Sequence, residues 1–504
     1  MYVLTNAQMR EADRYTIEEL GLPALELMER AGEALAKTAV ELAPTGNVLC
    51  VCGGGNNGGD GFVCARYLQG RGRNAAVLCF AEKYTQDCAE NKKKWQEIGG
   101  KILTDFPRDK EYSLVVDCLF GTGFHGGLTG QYADAVRAVN GLKDKGAIVL
   151  SADIPSGIHG DNGIKAGEAI QADVTLCIGE SKVGAVFADG LDYAGEIRRV
   201  DIGISLPRGK DEYAELQDKQ MMKKLLPKRR RNSHKGSYGK AAIVGGSKEY
   251  TGAAYLSAAA CLHAGAGYTT LFVPENILPY YALKSPELLL KSISAGDSYT
   301  FAEENMQALL GYDVIAYGMG MACSEEVAKG ASYLLQNYSG KLVLDADGLN
   351  SLAQYRKAEL SALLRNAACD VLLTPHVKEF SRLSGMSVQE ILEKGIYAPV
   401  EFARDNEVGV LLKGAASVLT DGERIYINAT GNSGLAKGGS GDVLSGVIAG
   451  LCAIGLKAFD GGRLGAYLVG RAAELTASCV GEYSLTATQV IDGLGMAFLE
   501  LQDE

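Results

Sequence analysis

The sequence predicts an α/β protein built from two three-layer αβα domains. Apolar runs rich in valine, isoleucine and leucine alternate with segments of helical spacing along almost all of the 504 residues. Alternation of this kind is typical of parallel sheets whose two faces are both covered by helices. The chain is too long for one ordinary domain, and its halves show no repeat at a fixed period. We therefore expect two different domains in one chain.

The individual elements follow from the same patterns. In the first half the predicted strands are 48–52, 75–80, 114–118, 148–151 and 174–178, and the predicted helices are 59–69, 86–98 and 132–139. In the second half the predicted strands are 241–245, 268–272, 314–317, 342–345, 371–374 and 409–412, and the closing helices are 439–453, 461–479 and 486–501. Residues 204–233 are rich in charge and contain no clear strand, although 221–226 has the spacing of a short helix. The predicted domains are therefore 1–210 and 233–504, with a connecting segment at 211–232.

Composition and charge restrict the class of protein. The formal net charge of −11 argues against nonspecific nucleic-acid binding, and the basic run at 228–231 is interpreted as a solvated connection. No apolar run reaches the roughly 18 residues that span a membrane, and the N-terminus lacks a signal pattern. The 12 cysteines include no CxxC pair and are interpreted as reduced core residues. We expect a cytoplasmic protein that binds neither nucleic acid nor membranes.

Three polar loops follow predicted strands of the first half. Residues 53–61 read Gly-Gly-Gly-Asn-Asn-Gly-Gly-Asp-Gly, which is neither a dinucleotide fingerprint nor a Walker loop. Asp117 ends one strand before a glycine turn, and Asp153 follows the next strand. Because the carboxyl ends of parallel strands meet at one edge, we expect one shared site. The alternatives are a structural glycine turn and helix caps at Asp117 and Asp153. Oxygen ligands of this kind suit an alkali or alkaline-earth cation, not zinc.

These motifs resemble those of the NAD(P)H-hydrate epimerase domain, as do Thr5, Gln8, Met9, Asp13 and the segment 27–32 near the N-terminus. The resemblance implies a Rossmann-like sheet and a hydrated nucleotide substrate, NADHX or NADPHX. It implies that the substrate contacts Asn56, Asn57, Gly58, Gly59, Asp60, Gly121, Thr122, Gly123, Phe124, His125, Gly126, Gly127 and Asp153. It also implies a K⁺ ion held by Asn57, Asp117 and Ser156. Epimerisation at C6 of the hydrated nicotinamide ring needs proton transfer, for which we predict Asp153.

The second half carries its strongest motif at 438–442, which reads Gly-Gly-Ser-Gly-Asp and opens an apolar helix. Glycines and a helix N-terminus attract phosphate, so an acid there needs another role, such as taking a proton from a hydroxyl. A helix cap is the alternative role for Asp442. Lys413 follows a strand and can place positive charge on a phosphate. Asp345 or Asp347 can bind the Mg²⁺ of a nucleotide or cap a helix, and His376 is interpreted as a ligand contact.

Together with glycine motifs at 245–247, 252–254 and 318–320, these residues resemble the ribokinase-like dehydratase of NAD(P)H-hydrate repair. The resemblance implies substrate contacts by Ala253, Gly320, His376 and Asp442. It implies adenine-nucleotide contacts by Lys413, Gly414, Ala415, Ala416, Ser417 and Gly441, with Mg²⁺ and with ADP as the expected donor. Asp442 would take the proton of the 6-hydroxyl as the phosphoryl group arrives, and departure of phosphate would restore the ring double bond.

The two resemblances cover nearly the whole chain, in the order of bacterial bifunctional repair enzymes, and we expect a homo-oligomer. Two other functions fit part of the sequence. A vitamin or sugar kinase of the ribokinase-like fold, with a regulatory N-terminal domain, would use Asp442 in the same way. An N-terminal scaffold for RNA granules or proteins would be expected to lack Asn57, Asp117 or Asp153, and all three are present. The motifs at 374–376 and 413–417 favour cofactor repair over the kinase.

Overall fold

The computed structural model of the chain describes residues 1–107, 110–207 and 213–502. They form two compact units, Met1–Ala214 and Glu215–Glu504. The predicted domain boundary at residue 210 and the first two residues of the predicted connecting segment lie outside the described residues. The exact limits of the predicted domains therefore stay a prediction.

The first unit alternates strands and helices from its start. Its strands are β1 (Tyr2–Leu4), β2 (Val48–Cys52), β3 (Ala75–Cys79), β4 (Ile102–Leu103), β5 (Leu114–Cys118), β6 (Ile148–Ala152), β7 (Val174–Ile178), β8 (Ser181–Lys182) and β9 (Glu196–Val200). Its helices are α1 (Asn6–Arg14), α2 (Ala24–Leu42), α3 (Asn56–Gly70), α4 (Gln86–Glu97), α5 (Gly130–Lys143), α6 (Val183–Val186) and α7 (Gly190–Tyr193). A π-helical turn, Tyr15–Glu19, follows α1 directly.

The main sheet of the first unit is parallel, with strand order β4-β3-β2-β5-β6-β7-β9. Its first six strands have the Rossmann order. Both faces are buried, since Cys50 of β2 belongs to one apolar cluster and Val51 to a second. Such a two-sided core explains why these strands are continuous apolar runs. Strands β1 and β8 also pair in parallel, with Leu4 opposite Lys182.

The second unit repeats the alternation with longer closing helices. Its strands are β10 (Ala214–Leu216), β11 (Lys240–Val244), β12 (Tyr268–Pro274), β13 (Leu289–Ser294), β14 (Val314–Tyr317), β15 (Lys341–Leu344), β16 (Asp370–Leu373), β17 (Gly409–Leu412), β18 (Ser417–Thr420) and β19 (Ile425–Asn428). Its helices are α8 (Lys219–Leu225), α9 (Thr251–His263), α10 (Glu303–Gln307), α11 (Glu325–Asn337), α12 (Ala346–Tyr355), α13 (Leu360–Arg365), α14 (Val377–Ser384), α15 (Val388–Lys394), α16 (Ala398–Asn406), α17 (Ser440–Ala453), α18 (Ala458–Val480) and α19 (Ala487–Gln502).

The sheet of the second unit has the order β13-β12-β11-β14-β15-β16-β17-β18-β19-β10. Strands β13 to β17 pair in parallel, whereas β17, β18 and β19 pair antiparallel. The sequence predicted a parallel sheet throughout, so this edge is a correction. The reason is the short 413–416 connection, because a loop of this length reverses the chain and cannot make a parallel crossover.

The structure confirms the predicted α/β class and nearly all predicted elements to within a few residues. Residues 204–233 were expected to contain no clear strand, which is wrong, since β10 pairs in parallel with β19. The residues of the basic run 228–231 are exposed, and Arg229 stacks on the ring of Tyr238 at 3.6 Å. All 12 cysteines are free, and most are buried. Among the described residues, no helix combines the length and apolarity that a membrane crossing requires.

Candidate active sites

The first unit has a cavity of about 500 Å³ at the carboxyl ends of its sheet. It is lined by residues from α1, α2, the loop before α3 and the loops after β5 and β6. Eight predicted substrate contacts line it: Asn56, Asn57, Asp60, Gly121, Thr122, Gly123, Phe124 and Asp153. The other five predicted contacts, Gly58, Gly59, His125, Gly126 and Gly127, lie outside this lining.

Gly58 and Gly59 have a packing role. A Cβ on Gly58 would overlap the carbonyl oxygen of Gly53, and one on Gly59 would overlap the side chain of Met28. These glycines let the loop fold back on itself where α3 begins. The loop is therefore built to present Asn56 and Asn57, whose side chains line the cavity.

The two asparagines differ in their partners. The Asn56 amide oxygen accepts a 2.9 Å hydrogen bond from Thr85. Both amide atoms of Asn57 are buried, and neither has a hydrogen-bond partner in the part of the chain that the structure describes. A buried amide without partners is costly unless a ligand supplies them. Asn57 is therefore the strongest sign of a ligand in this cavity.

Asp117 organises the next two loops. Its carboxylate accepts hydrogen bonds from the Ser156 hydroxyl at 2.6 Å, the Ser156 backbone N–H at 2.9 Å, the Ser151 hydroxyl at 2.9 Å and the Leu119 N–H at 3.2 Å. Burial raises the pKa of Asp117, and these donors oppose the increase. The alternative that Asp117 caps a helix is wrong, because it joins the end of β5 to the loop after β6.

Asp153 has a backbone conformation that is unusual for a residue with a side chain, with φ at +71°. Strain of this kind is typical of functional sites. Its carboxylate accepts a 3.1 Å hydrogen bond from the Ile178 N–H and forms an ion pair with Lys182. Lys182 is 1% exposed and also donates to the carbonyls of Ile178 and Glu180, at 2.9 and 3.0 Å. Asp153 therefore does not cap a helix; it forms a buried ion pair at the cavity wall.

Two charged side chains line this cavity that the sequence analysis did not predict as site residues, Lys182 and Asp13. Lys182 lies just after the end of β7, and a lysine at the carboxyl end of a predicted strand was the available signal. Asp13 comes from α1, and burial raises its pKa to about 6. Asp60 lies deeper, and burial raises its pKa well above the ordinary value, with repulsion from Asp153 as the next cause.

The second site lies at the carboxyl ends of β14 to β17, where α17 begins. Gly439 adopts a left-handed φ of +97° immediately before the helix, which a glycine allows without strain. Asp442 lies in the first turn of α17 and makes no side-chain capping hydrogen bond there. Burial, with repulsion from Asp345 as the second cause, raises the pKa of Asp442 to about 7. The alternative that Asp442 is a helix cap is wrong, because the N-cap residue of α17 is Gly439.

Lys413 forms an ion pair with Asp345, with Nζ and Oδ1 2.6 Å apart. The other oxygen of Asp345 accepts a 2.6 Å hydrogen bond from the hydroxyl of Ser445 in α17. Asp345 is 1% exposed and makes no capping hydrogen bond to α12. Asp347 accepts a 2.9 Å hydrogen bond from the Ala322 N–H. The capping alternative is wrong for Asp345, which instead fixes the ammonium of Lys413 beside the start of α17.

His376 is half-exposed and begins α14. Its Nδ1 accepts from the backbone N–H groups of Lys378 and Glu379 at 3.1 and 3.2 Å. The Glu379 carboxylate accepts from the His376 N–H at 2.9 Å and lies 3.4 Å from Nε2. Burial lowers the pKa of His376, and the positive charge of Lys413 lowers it further. The ring is thus held neutral, with one edge open to a ligand.

The remaining predicted residues of this half surround the same sheet edge. Gly320 follows β14 with φ at +67°, and a Cβ on it would lie 2.9 Å from the Cβ atoms of Ala253 and Tyr250. Residues 413–416 form the hairpin loop between β17 and β18, in which Gly414 and Ala415 are exposed and Ala416 is buried. A Cβ on Gly441 would lie 3.4 Å from the Lys413 ammonium, so this loop adjoins the helix start.

The donor chemistry limits which metals the chain alone could hold. Within the described ranges, no group of three or more histidine, cysteine or acidic side chains is arranged to hold an ion. Mg²⁺ commonly binds through one or two carboxylates together with nucleotide phosphates, so Asp345 or Asp347 still fits that mode.

Comparisons with known proteins identify relatives of the chain. A family described as NAD(P)H-hydrate dehydratase matches residues 241–494, and one described as YjeF-related protein N-terminus matches residues 24–184. A bifunctional NAD(P)H-hydrate repair enzyme from Thermofilum pendens is 35% identical over 100% of this chain and 97% of its own length. One from Moorella thermoacetica is 34% identical over 100% of this chain and 98% of its own. The chain belongs to this family of bifunctional repair enzymes.

A solved structure supports the fold of the second unit. The ADP/ATP-dependent NAD(P)H-hydrate dehydratase of Bacillus subtilis, co-crystallised with ATP and Mg²⁺, is 28% identical with a TM-score of 0.50. It covers 57% of this chain and 99% of its own length. The family membership confirms the predicted resemblance and the predicted enzyme class.

Proposed function

We propose that the chain repairs hydrated nicotinamide cofactors in two steps. The first unit interconverts the R and S hydrates of NADH and NADPH, and the second removes water from the S hydrate at the expense of an adenine nucleotide. The observation that carries this proposal is that one chain of this family contains two sites, each with the charged and polar side chains that its reaction needs. One is the cavity with Asn57 and the Asp153–Lys182 pair, and the other is the α17 start with Asp442 and the Lys413–Asp345 pair.

In the proposed dehydration, phosphoryl transfer converts the 6-hydroxyl into a good leaving group. Asp442 accepts the hydroxyl proton, for which a pKa of about 7 is well matched to neutral pH. Lys413, held beside Gly441 by Asp345, stabilises charge on the transferring phosphoryl group. The C6–O bond then breaks as phosphate departs, and loss of a proton from C5 to solvent restores the ring double bond. Mg²⁺, when bound with the nucleotide, would neutralise phosphate charge.

The binding contacts of this site are proposed from the motifs and from their position at the sheet edge. Ala253, Gly320 and His376 hold the hydrated substrate, and the neutral His376 ring offers a hydrogen bond without adding charge. The nucleotide lies against the hairpin loop Gly414, Ala415, Ala416 and Ser417 and against Gly441, where exposed small residues leave backbone N–H groups accessible. We propose ADP as the preferred donor.

In the proposed epimerisation, the cavity of the first unit holds the hydrated ring and Asp153 takes part in proton transfer. The predicted K⁺ ligands fit an alkali cation by their chemistry, since all three offer oxygen atoms. The Asn57 amide oxygen is buried without a partner among the described residues, and Ser156 is already hydrogen-bonded to Asp117. Bound K⁺ would supply positive charge near substrate oxygens.

We also propose that the protein is cytoplasmic and that it forms a homo-oligomer. Light scattering would test the oligomeric state.

The deciding experiment mixes the purified chain with each separated NADH-hydrate epimer, Mg²⁺, K⁺ and either ADP or ATP, and follows the near-ultraviolet absorbance of restored NADH. We expect nucleotide-dependent recovery from both epimers. Recovery from the S epimer alone would leave a dehydratase with an inactive first unit. No recovery with either nucleotide would refute the repair function and direct attention to a small-molecule kinase.

A further inference from the structure

The cavity of the first unit contains a carboxyl group that the proposed function does not yet use. Asp13 is the second-last residue of α1 and lines the cavity together with Asp153 and Lys182. A carboxylate in the last turn of a helix opposes the helix dipole, so helix stability does not explain its position. The π-helical turn that follows α1 is a feature often found at functional sites.

Asp13 differs from Asp153 in that it accepts no hydrogen bond from Lys182. An ammonium has three donors, and those of Lys182 go to Asp153 and to the carbonyls of Ile178 and Glu180. Asp13 therefore receives no hydrogen bond from Lys182. Burial raises the pKa of Asp13, the positive charge of Lys182 lowers it and the negative charge of Asp153 raises it, which gives a pKa of about 6. Asp60 is buried with a pKa well above its ordinary value. Burial thus brings the pKa of Asp13 closer to neutral pH than its ordinary value.

Several other side chains line the cavity together with Asp13. The charged residues that line the cavity with it are Arg10 of α1, Asp60 of α3, Asp87 of α4, Asp153 after β6 and Lys182 of β8. The residues that α2 contributes are all apolar: Ala24, Leu27, Met28 and Ala31. The cavity lining therefore combines an ion pair, Asp153 with Lys182, and the carboxyl group of Asp13, which comes from α1.

We propose that Asp13 is a second catalytic residue of the epimerase site and gives a proton to the 6-hydroxyl of the hydrated ring; this rests on the proposed epimerisation. The C6–O bond breaks, and the Asp13 proton turns the departing oxygen into water. The lone pair of the ring nitrogen forms a double bond to C6, and the new Asp13 carboxylate attracts the cationic ring. Water then adds to the other face of C6 and gives its extra proton to the Asp153 carboxylate. Proton exchange with solvent resets both carboxyls.

The test measures interconversion of the two NADH-hydrate epimers by chromatography, without nucleotide, over pH 5 to about 8. Because Asp13 acts in its protonated form, the wild-type kcat should fall as pH rises through about 6. Asp13→Asn should lower kcat roughly 100-fold or more and abolish this pH dependence, with KM little changed, and Asp13→Glu should restore part of the rate. Glu18→Gln is the matched control, since Glu18 is an exposed acid on the turn after α1.

The outcomes separate this inference from the proposed function. Wild-type interconversion together with an Asp13→Asn variant of unchanged rate and pH profile would overturn the role of Asp13 and leave the epimerase function standing. Absence of interconversion by the wild type would refute the epimerase function and this role with it. If Asp13→Asn fails to fold, as judged by circular dichroism, the wild-type profile decides: a kcat that does not fall through about pH 6 overturns the proposal.

Discussion

The proton-accepting role of Asp442 has a direct kinetic consequence. Only the ionised carboxylate can accept the hydroxyl proton, and burial beside Asp345 raises the pKa of Asp442 to about 7. With that pKa, about 10% of the sites are ionised at pH 6 and about 90% at pH 8. The kcat of dehydration should therefore rise about tenfold between these pH values, in the direction set by loss of a proton.

Replacing the carboxyl group tests the same role. Asp442→Asn keeps the shape of the side chain but cannot accept the proton, so we expect kcat to fall roughly 100- to 10,000-fold and the rise with pH to disappear. The assay follows restored NADH from the S hydrate under saturating nucleotide and Mg²⁺. Asp460→Asn is the matched control, because Asp460 occupies the same position in the first turn of α18. It should leave kcat and the pH profile unchanged.

One result would refute the reasoning. If Asp442→Asn kept more than roughly a tenth of the wild-type kcat with the same pH profile, another group would have to accept the proton. Loss of activity in both the Asn variant and the Asp460 control would instead indicate damage to the fold, which circular dichroism would detect.

Three further predictions concern other parts of the chain. Lys413→Met leaves the buried Asp345 carboxylate without its ammonium and should lower the free energy of unfolding by about 3–5 kcal/mol, measured by urea denaturation; an unchanged midpoint would contradict it. Asn57→Ala removes the proposed K⁺ ligand, so epimerisation should lose its response to K⁺ over Na⁺, and a persisting response would place the ion elsewhere. Gly446→Ala brings a Cβ onto a carbonyl oxygen of α9 and should cost about 1–3 kcal/mol of stability, whereas Gly495→Ala, with open space around it, should cost nothing.

The fold was largely predictable because the central parallel strands, such as β2 and β5, are buried on both faces and must be apolar along nearly their whole length. Strands β2, β5, β7, β14 and β17 match their predicted ranges. The predictions were wrong where pairing, and not apolar content, defines the strand. β10 has only three residues and is recognisable only by its partner β19. The antiparallel direction of β18 follows from the short loop before it, and the spacing of apolar residues does not indicate strand direction.

The sequence by itself determined the class of the protein and the position of its loops, since glycines and polar residues at strand ends mark the functional edge of a sheet. Only the tertiary structure decided what the acids there do. It paired Asp345 with Lys413 and Asp153 with Lys182, and it left Asp442 and Asp13 to titrate near neutral pH. The physical reason is that the pKa of a carboxyl group depends on burial and on charges brought close by folding from distant parts of the chain.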